Sequence, residues 1–197
     1  MAKLLYQGHG SYRITTNRNT VLYVDPYAGK GYELPADLVL VSHEHFDHNA
    51  VGLVKLKSEG KLYRSADMMK QGKYRSIDEK DFHVEATPAC NKNHPIDQCV
   101  GFLIKVDGLI IYASGDTSET ANMRETLSKM PIDYALLPID GIYNMGPEEA
   151  SRCAEIIGAK HSIPVHMKPG ALFDAEMANA FHCRGRLILT PGTEIQL

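Results

Sequence analysis

The 197-residue chain contains no tryptophan, only five phenylalanines and only four cysteines. Cys90, Cys99, Cys153 and Cys183 show no Cys-x-x-Cys pair and no zinc-finger spacing. That excludes a thiolate zinc knot, and the expectation is four reduced thiols rather than a disulfide framework. No stretch approaches the roughly 20 apolar residues of a membrane span. The segment Met1 to Gly8 lacks a signal-peptide apolar region, so the expected location is the cytoplasm. Positive charge is not in excess: 21 Lys and Arg stand against 24 Asp and Glu, a net charge of -3. No global basic field is present to attract nucleic acid or anionic membrane, and no nucleic-acid partner is expected. No Gly-x-Ser-x-Gly elbow occurs, which argues against a serine nucleophile. No Pro/Ser-rich linker, low-complexity tract or strong repeat divides the chain, so residues 1–197 read as a single domain.

What is present is ordinary globular material, 44% hydrophobic and 23% charged, long enough to bury a core. The first 42 residues read as β. Tyr12 to Thr16 and Thr20 to Val24 are rich in β-branched and aromatic residues, with Asn17-Arg18-Asn19 as a hairpin turn. Leu38 to Val41 is a short apolar run, as in a strand buried on both faces. Ala50 to Leu56 reads as a short helix, and residues 61–80 carry mixed signals. His83 to Thr87 alternates like a strand. Val100 to Val106 and Leu109 to Ala113 form a hairpin around Asp107-Gly108. Ser118 to Lys129 reads as a helix, and Tyr134 to Leu137 as a buried strand. A helix starts at Pro147, with Glu148 and Glu149 near its positive end, and stops at Gly158. Ser162 to Val165 is a strand. Asp174 caps a helix to about Cys183, and Leu187 to Leu189 and Glu194 to Gln196 close the chain as strands.

Nine histidines are many for this length, and they cluster. His43-Glu44-His45-Phe46-Asp47-His48 puts four potential metal ligands within six residues, directly after a buried strand. In an extended segment side chains at i and i+2 point the same way, so His43 and His45 can grip one metal. Asp47 and His48 follow where the chain turns and can reach a second one. Imidazole and carboxylate suit zinc, iron or manganese.

Val39 to His48 resembles the signature of the metallo-β-lactamase superfamily, and the resemblance runs along nearly the whole chain. Gly8-His9-Gly10-Ser11 on the first strand, Asp25-Pro26, Gly115-Asp116-Thr117, Leu137-Pro138-Ile139, Met145 to Ala150 and Ile163 to His166 resemble one branch of it. That branch includes the L-ascorbate-6-phosphate lactonases and the N-acyl phosphatidylethanolamine phospholipase D enzymes. The resemblance implies an α+β fold, the αββα four-layer sandwich. It implies two divalent ions, zinc first, with manganese or iron as alternatives. His43, His45 and a later histidine would hold one ion, and Asp47, His48 and His166 the other, with Asp116 bridging. His94 matches the later histidine best, with His83 as the alternative. His9 and Asp25 are expected near the site. Asp140 stands where relatives are expected to carry a small residue, and with Tyr143, Asn144 and Lys168 it is a candidate for lining the substrate pocket. Cys90 and Cys99 flank His94 and read as small core residues.

The implied activity is hydrolysis of a small phosphoester, lactone or related ester by a metal-activated water, with Asp47 and Asp116 orienting that water. The alternatives are a metal-dependent nuclease, a glyoxalase II-type thioesterase or sulfur dioxygenase, and a non-catalytic binding protein. A small-molecule substrate is the expected partner, and a homo-oligomer is compatible with the sequence.

Overall fold

A computed structural model describes residues 1–197. The strands are β1 (Lys3–Gly8), β2 (Ser11–Thr15), β3 (Val21–Val24), β4 (Ala36–Val41), β5 (Leu56–Arg64), β6 (Met69–Lys70), β7 (Lys73–Tyr74), β8 (Ser76–Glu79), β9 (Phe82–Pro88), β10 (Val100–Val106), β11 (Leu109–Ala113), β12 (Tyr134–Pro138), β13 (His161–Val165) and β14 (Glu194–Gln196). The helices are α1 (Ser65–Met68), α2 (Ala121–Glu125), α3 (Pro147–Ile157) and α4 (Ala175–Ala180). Two six-stranded sheets form, in the orders β14-β1-β2-β3-β4-β5 and β13-β12-β11-β10-β9-β8.

The inner faces of the sheets bury each other. Leu4, Ile14, Leu22 and Leu40 from one meet Val84, Phe102, Ile104 and Ile163 from the other. The outer face of the second sheet, including Leu103, Tyr112 and Leu137, is covered by α2, α3 and α4 through Met123, Cys153, Ile157 and Ala178. The outer face of the first sheet carries a thinner cover, with Tyr23 and Val39 packing under Val54, Val51 and Tyr32. The molecule is thus an α+β sandwich whose helix layer is thick on one side and thin on the other. No helix is long and apolar enough to cross a membrane.

Several local expectations need correcting. Residues 50–56 form only a 3-10 turn, Val51–Leu53, before β5 begins at Leu56. Only Val54 of that stretch is buried, so no apolar face exists to hold a helix. Helix α2 is shorter than Ser118 to Lys129 because Ser118 donates its N–H to Cys90 O instead (3.0 Å) and Thr120 is the cap. Asp174 does cap α4, accepting the N–H groups of Glu176 and Met177, but that helix stops at Ala180. Leu187 to Leu189 forms no strand. A single bridge from Arg186 to Ser162 is all that pairs there.

Strand direction positions the site. β3, β4 and β5 are mutually parallel, and so are β11, β12 and β13. β1 runs parallel to β3 through two antiparallel steps, and β9 runs parallel to β11 in the same way. The carboxyl ends of β1, β3 and β4 therefore share one edge of the first sheet, and those of β9, β11, β12 and β13 one edge of the second.

Candidate metal centre

Each expected site residue follows one of those carboxyl ends. His9 follows β1, Asp25 follows β3, and His43 to His48 follow β4. His94 follows β9, Asp116 follows β11, Asp140 follows β12 and His166 follows β13. The two edges face each other, which gathers residues distant in sequence into one cluster.

Asp116 is at the centre and is buried. Its Oδ2 lies 3.3 Å from His94 Nε2, 3.3 Å from His166 Nε2 and 3.9 Å from His43 Nε2, and its Oδ1 lies 3.5 Å from His48 Nε2. Asp47 Oδ2 is 3.7 Å from His166 Nε2. His45 completes a ring trio with His43 and His94, at centroid distances of 4.5 and 5.0 Å. His83 sits elsewhere, between Asp78 (2.7 Å) and Glu85 (3.1 Å) on the edge of the second sheet. His94 is the histidine brought to Asp116.

The imidazoles are held from behind in one repeated way. Ser42 Oγ donates to Asp25 Oδ2 (2.6 Å), so it accepts from His43 Nδ1 (3.0 Å). His48 Nδ1 donates to Asp25 Oδ2 (2.9 Å). His94 Nδ1 donates to Asn91 Oδ1 (3.0 Å). His166 Nδ1 lies 3.0 Å from Asp140 Oδ2, a charge contact rather than an aligned hydrogen bond, and His9 Nδ1 donates to Ala171 O (3.0 Å). In each case Nδ1 faces an outer oxygen and Nε2 turns inward. A histidine that ligates a metal through Nε2 is commonly fixed by such an Nδ1 partner.

Two of those inward atoms, His43 Nε2 and His48 Nε2, are buried and have no hydrogen-bond partner. A neutral imidazole whose Nδ1 carries the proton presents a lone pair at Nε2. With the Nε2 atoms of His94 and His166, those of His43 and His48 converge on one carboxylate, a donor-rich pocket that a cation would satisfy. The donor groups fall into sets of matching reach: His43, His45 and His94; His43, His48 and Asp116; and His9, Asp47, His48 and His166. Nitrogen and oxygen donors in these sets fit a divalent metal of the zinc, manganese or iron type.

The electrostatics agree. Burial raises the Asp116 carboxyl, but His48 and His166 outweigh it and hold it well below the usual carboxylate range. Burial lowers His48 and His166, yet Asp116 overcomes it; His48 ends well above its ordinary value and His166 at about 9. His43, buried beside the His48 charge, is pushed down to about 2. Without a cation the cluster stores protons at some of the atoms a metal would take.

Backbone geometry matches this placement. Asp25 (φ 46°) and His166 (φ 45°) are the only non-glycine residues outside hairpin turns with positive φ. Such strain persists where the surroundings over-determine it, here at two strand ends that aim side chains into the cluster. Gly10 leaves room for His48, since a Cβ there would stand 2.9 Å from His48 Cε1.

Sequence scanning of residues 3–166 matches the model of a beta-lactamase superfamily domain. A metal-dependent hydrolase of Methanoregula boonei, one of the UPF0173 proteins, is 33% identical over 90% of this chain and 87% of its own. The UPF0173 metal-dependent hydrolase of Pelotomaculum thermopropionicum is 30% identical over 99% of this chain and 100% of its own. The chain belongs to the UPF0173 metal-dependent hydrolases, within the metallo-β-lactamase superfamily. A solved chain from Parabacteroides distasonis, 27% identical, superposes with a TM-score of 0.73 over 94% of this chain and 91% of that one.

For this UPF0173 member, some expected roles change. His9 lies not on a strand but in the turn between β1 and β2 (φ 55°), with its Nε2 3.1 Å from Asp47 Oδ2. Asp140 does not line the pocket. Its buried carboxylate accepts the N–H groups of Ile142 and Tyr143 (2.6 Å each) and braces His166. Those partners hold its carboxyl down at about 2, against the opposing effect of burial. Asn144 is likewise committed, donating to Asp140 Oδ2 (2.8 Å) and accepting from Asn91 Nδ2 (3.2 Å). Lys168 turns away toward Asp174, at 3.5 Å. Of those four candidates only Tyr143 lines the cleft over the cluster. All four cysteines are free, and burial pushes the Cys99 thiol up to about 12, away from the thiolate a metal would need.

The residue the sequence did not single out is Asn91. It joins His94 to Asn144, Asp140 and His166, so one polar chain braces two inward-facing histidines from separate strands of the second sheet.

Proposed function

We propose that this hydrolase binds two divalent ions and cleaves a small phosphoester, lactone or related ester. His43, His45 and His94 take one ion; Asp47, His48 and His166 take the other; Asp116 serves both. Zinc is the first candidate, and manganese or iron suits the same donors. The observation that carries this reading is the pair of buried, partnerless Nε2 atoms of His43 and His48 facing the Asp116 carboxylate.

Bound there, the ions supply an activated water and polarise the oxygen of the electrophile. The chain supplies the geometry. Asp25, Ser42, Asn91 and Asp140 fix the imidazoles, while His9 steadies Asp47. Asp47 and Asp116 offset ionic charge and orient the water. The cleft above, about 310 Å³ and edged by His45, Phe46, His94 and Tyr143, suits a small molecule. The resemblance of several segments to the lactonase and phospholipase D branch supports ester-type substrates.

The test is metal analysis of the purified protein joined to a screen over phosphodiesters, lactones and thioesters. Two ions per chain are expected, together with turnover on at least one class. Asp116→Ala and His45→Ala are each expected to abolish that turnover at saturating metal. Full activity in either variant would overturn the assignment.

A further inference from the structure

The substrate's charge can be read one step further, resting on the hydrolase reading above. Four carboxylates, those of Asp25, Asp47, Asp116 and Asp140, touch the inward-turned histidines. Two divalent ions would add four positive charges, which these four negative charges cancel. Asp140 closes that balance, and it does so where a small uncharged residue was expected.

No Lys or Arg edges the cleft to restore a positive field. The cleft over the cluster is lined by no Arg or Lys. The shoulder beside His43 and His45 adds Glu44 and Asp97 and again no cation. Lys168 pairs with Asp174 (3.5 Å) and Arg64 with Glu44 (2.8 Å), and Lys92, on the loop that carries His94, is exposed and lines neither surface. A phosphate or carboxylate group would find no guanidinium fork here, although bidentate Arg is a favoured device for holding such groups.

The apolar surface points the same way. Of the eight large hydrophobic side chains the chain exposes, Phe46, Ile96, Ile142 and Tyr143 all lie on the three loops that carry Asp47, His94 and Asp140. Phe46 is 74% exposed and Tyr143 50%, and both edge the cleft. Exposed apolar side chains grouped at the mouth of a polar cleft, rather than scattered singly, fit a ligand-contact surface.

We propose that the substrate is a small uncharged carboxylic ester or lactone carrying an apolar or aromatic substituent, seated between Phe46 and Tyr143. In the reaction the oxygen of water bonds to the acyl carbon and the acyl C–O bond breaks. One proton of the water ends on the leaving oxygen and the other passes to solvent, giving a carboxylate and an alcohol, or a hydroxy acid from a lactone. The product anion then leaves a cleft with no cationic side chain to retain it.

The test is calorimetric binding to the zinc-loaded protein of two probes that it cannot hydrolyse, a phenyl-substituted δ-valerolactam and phenylphosphonate. The lactam is expected to bind more tightly. Phe46→Ser and Tyr143→Ser are each expected to weaken the lactam about fivefold, as loss of an aromatic contact does. Both positions are exposed, so the variants should keep the fold, which circular dichroism checks. Tighter phosphonate binding overturns the proposal, and so does lactam binding indifferent to both substitutions. Association of the chain with itself through Phe46 and Tyr143, with neither probe bound, also overturns it and gives the patch to a second copy. A parallel assay compares p-nitrophenyl butyrate with bis(p-nitrophenyl) phosphate. Turnover of neither, with metal and lactam both bound, defeats the hydrolase reading while the ligand class stands.

Discussion

At the scale of single residues, the centre is a set of histidines whose direction is decided by what stands behind them. Asn91 Oδ1 accepts from the His94 ring and from the N–H groups of Asn93 and His94. Asn144 then passes the constraint to Asp140 and so to His166. Removing a partner of this kind usually costs a metal site about 10- to 100-fold in affinity. Asn91→Ala is therefore expected to weaken zinc binding by about that factor, measured by competition with a chromophoric chelator. Asn144→Ala should weaken it less, and the double variant should fall short of the product of the two, because both cut the same chain. Product-like additivity would show that the two histidines are braced independently. The proposed primary ligands were legible in the sequence because His43, His45, Asp47 and His48 are neighbours along the chain. Asn91 was not, since an amide becomes a histidine brace only through a loop closure that brings residues 91 and 144 together.

At the scale of elements, strands were legible where burial is two-sided. Leu38 to Val41 and Tyr134 to Leu137 are continuous apolar runs, and both lie in interior strands, one in from a sheet edge. The stretch 61–80 was not, because β5 alternates between intermediate and exposed positions and the pieces that follow are two to four residues long. The ends of strands carry the chemistry, so their turns tolerate little. Gly115 has φ 63°, and a Cβ on it would stand 2.7 Å from Val100 O. Gly115→Ala is expected to cost about 1–3 kcal/mol from backbone strain and to displace Asp116, read as a lower urea midpoint together with weaker zinc binding. Farther from the site, Asp37 on β4 accepts the Val21 N–H (2.9 Å) and pairs with Lys57 and Lys80. Burial raises its carboxyl, but the two lysines outweigh that and hold it below the ordinary value. A depressed folded pKa gives stability that is present above the unfolded pKa of about 3.9 and lost as pH falls through the folded one. Asp37→Asn should thus be less stable than the parent at pH 7 by about 1–3 kcal/mol, with the gap between them shrinking below about pH 4. A gap that stays constant down to pH 3 would show that the charge of Asp37 does not matter.

At the scale of the whole molecule, the proposed ligands divide between the two sheets. His43, His45, Asp47 and His48 come from the first, and His94, Asp116 and His166 from the second. The inner apolar core joins the sheets over most of their area, whereas at this edge the join is two backbone hydrogen bonds, Val100 N–H to Ser42 O (3.0 Å) and His166 N–H to His9 O (2.9 Å), and the cluster of histidines and carboxylates. Ions there would act as ties between sheets, so their binding should appear as stability of the entire fold. A ligand that binds only the folded state at about 1,000 times its dissociation constant adds about 4 kcal/mol. For a chain of this size each kcal/mol moves the midpoint by about 2–4 °C. Stripping the metal with a chelator is therefore expected to lower the thermal midpoint by about 8–16 °C, and re-adding zinc should restore it. Asp116→Asn removes the carboxylate shared across the interface, so its midpoint should respond to the chelator by less than half as much. A full chelator response in that variant would mean that the stabilising ion sits elsewhere. No response in the parent, with zinc binding shown by calorimetry, would mean that the two sheets are held at this edge without it.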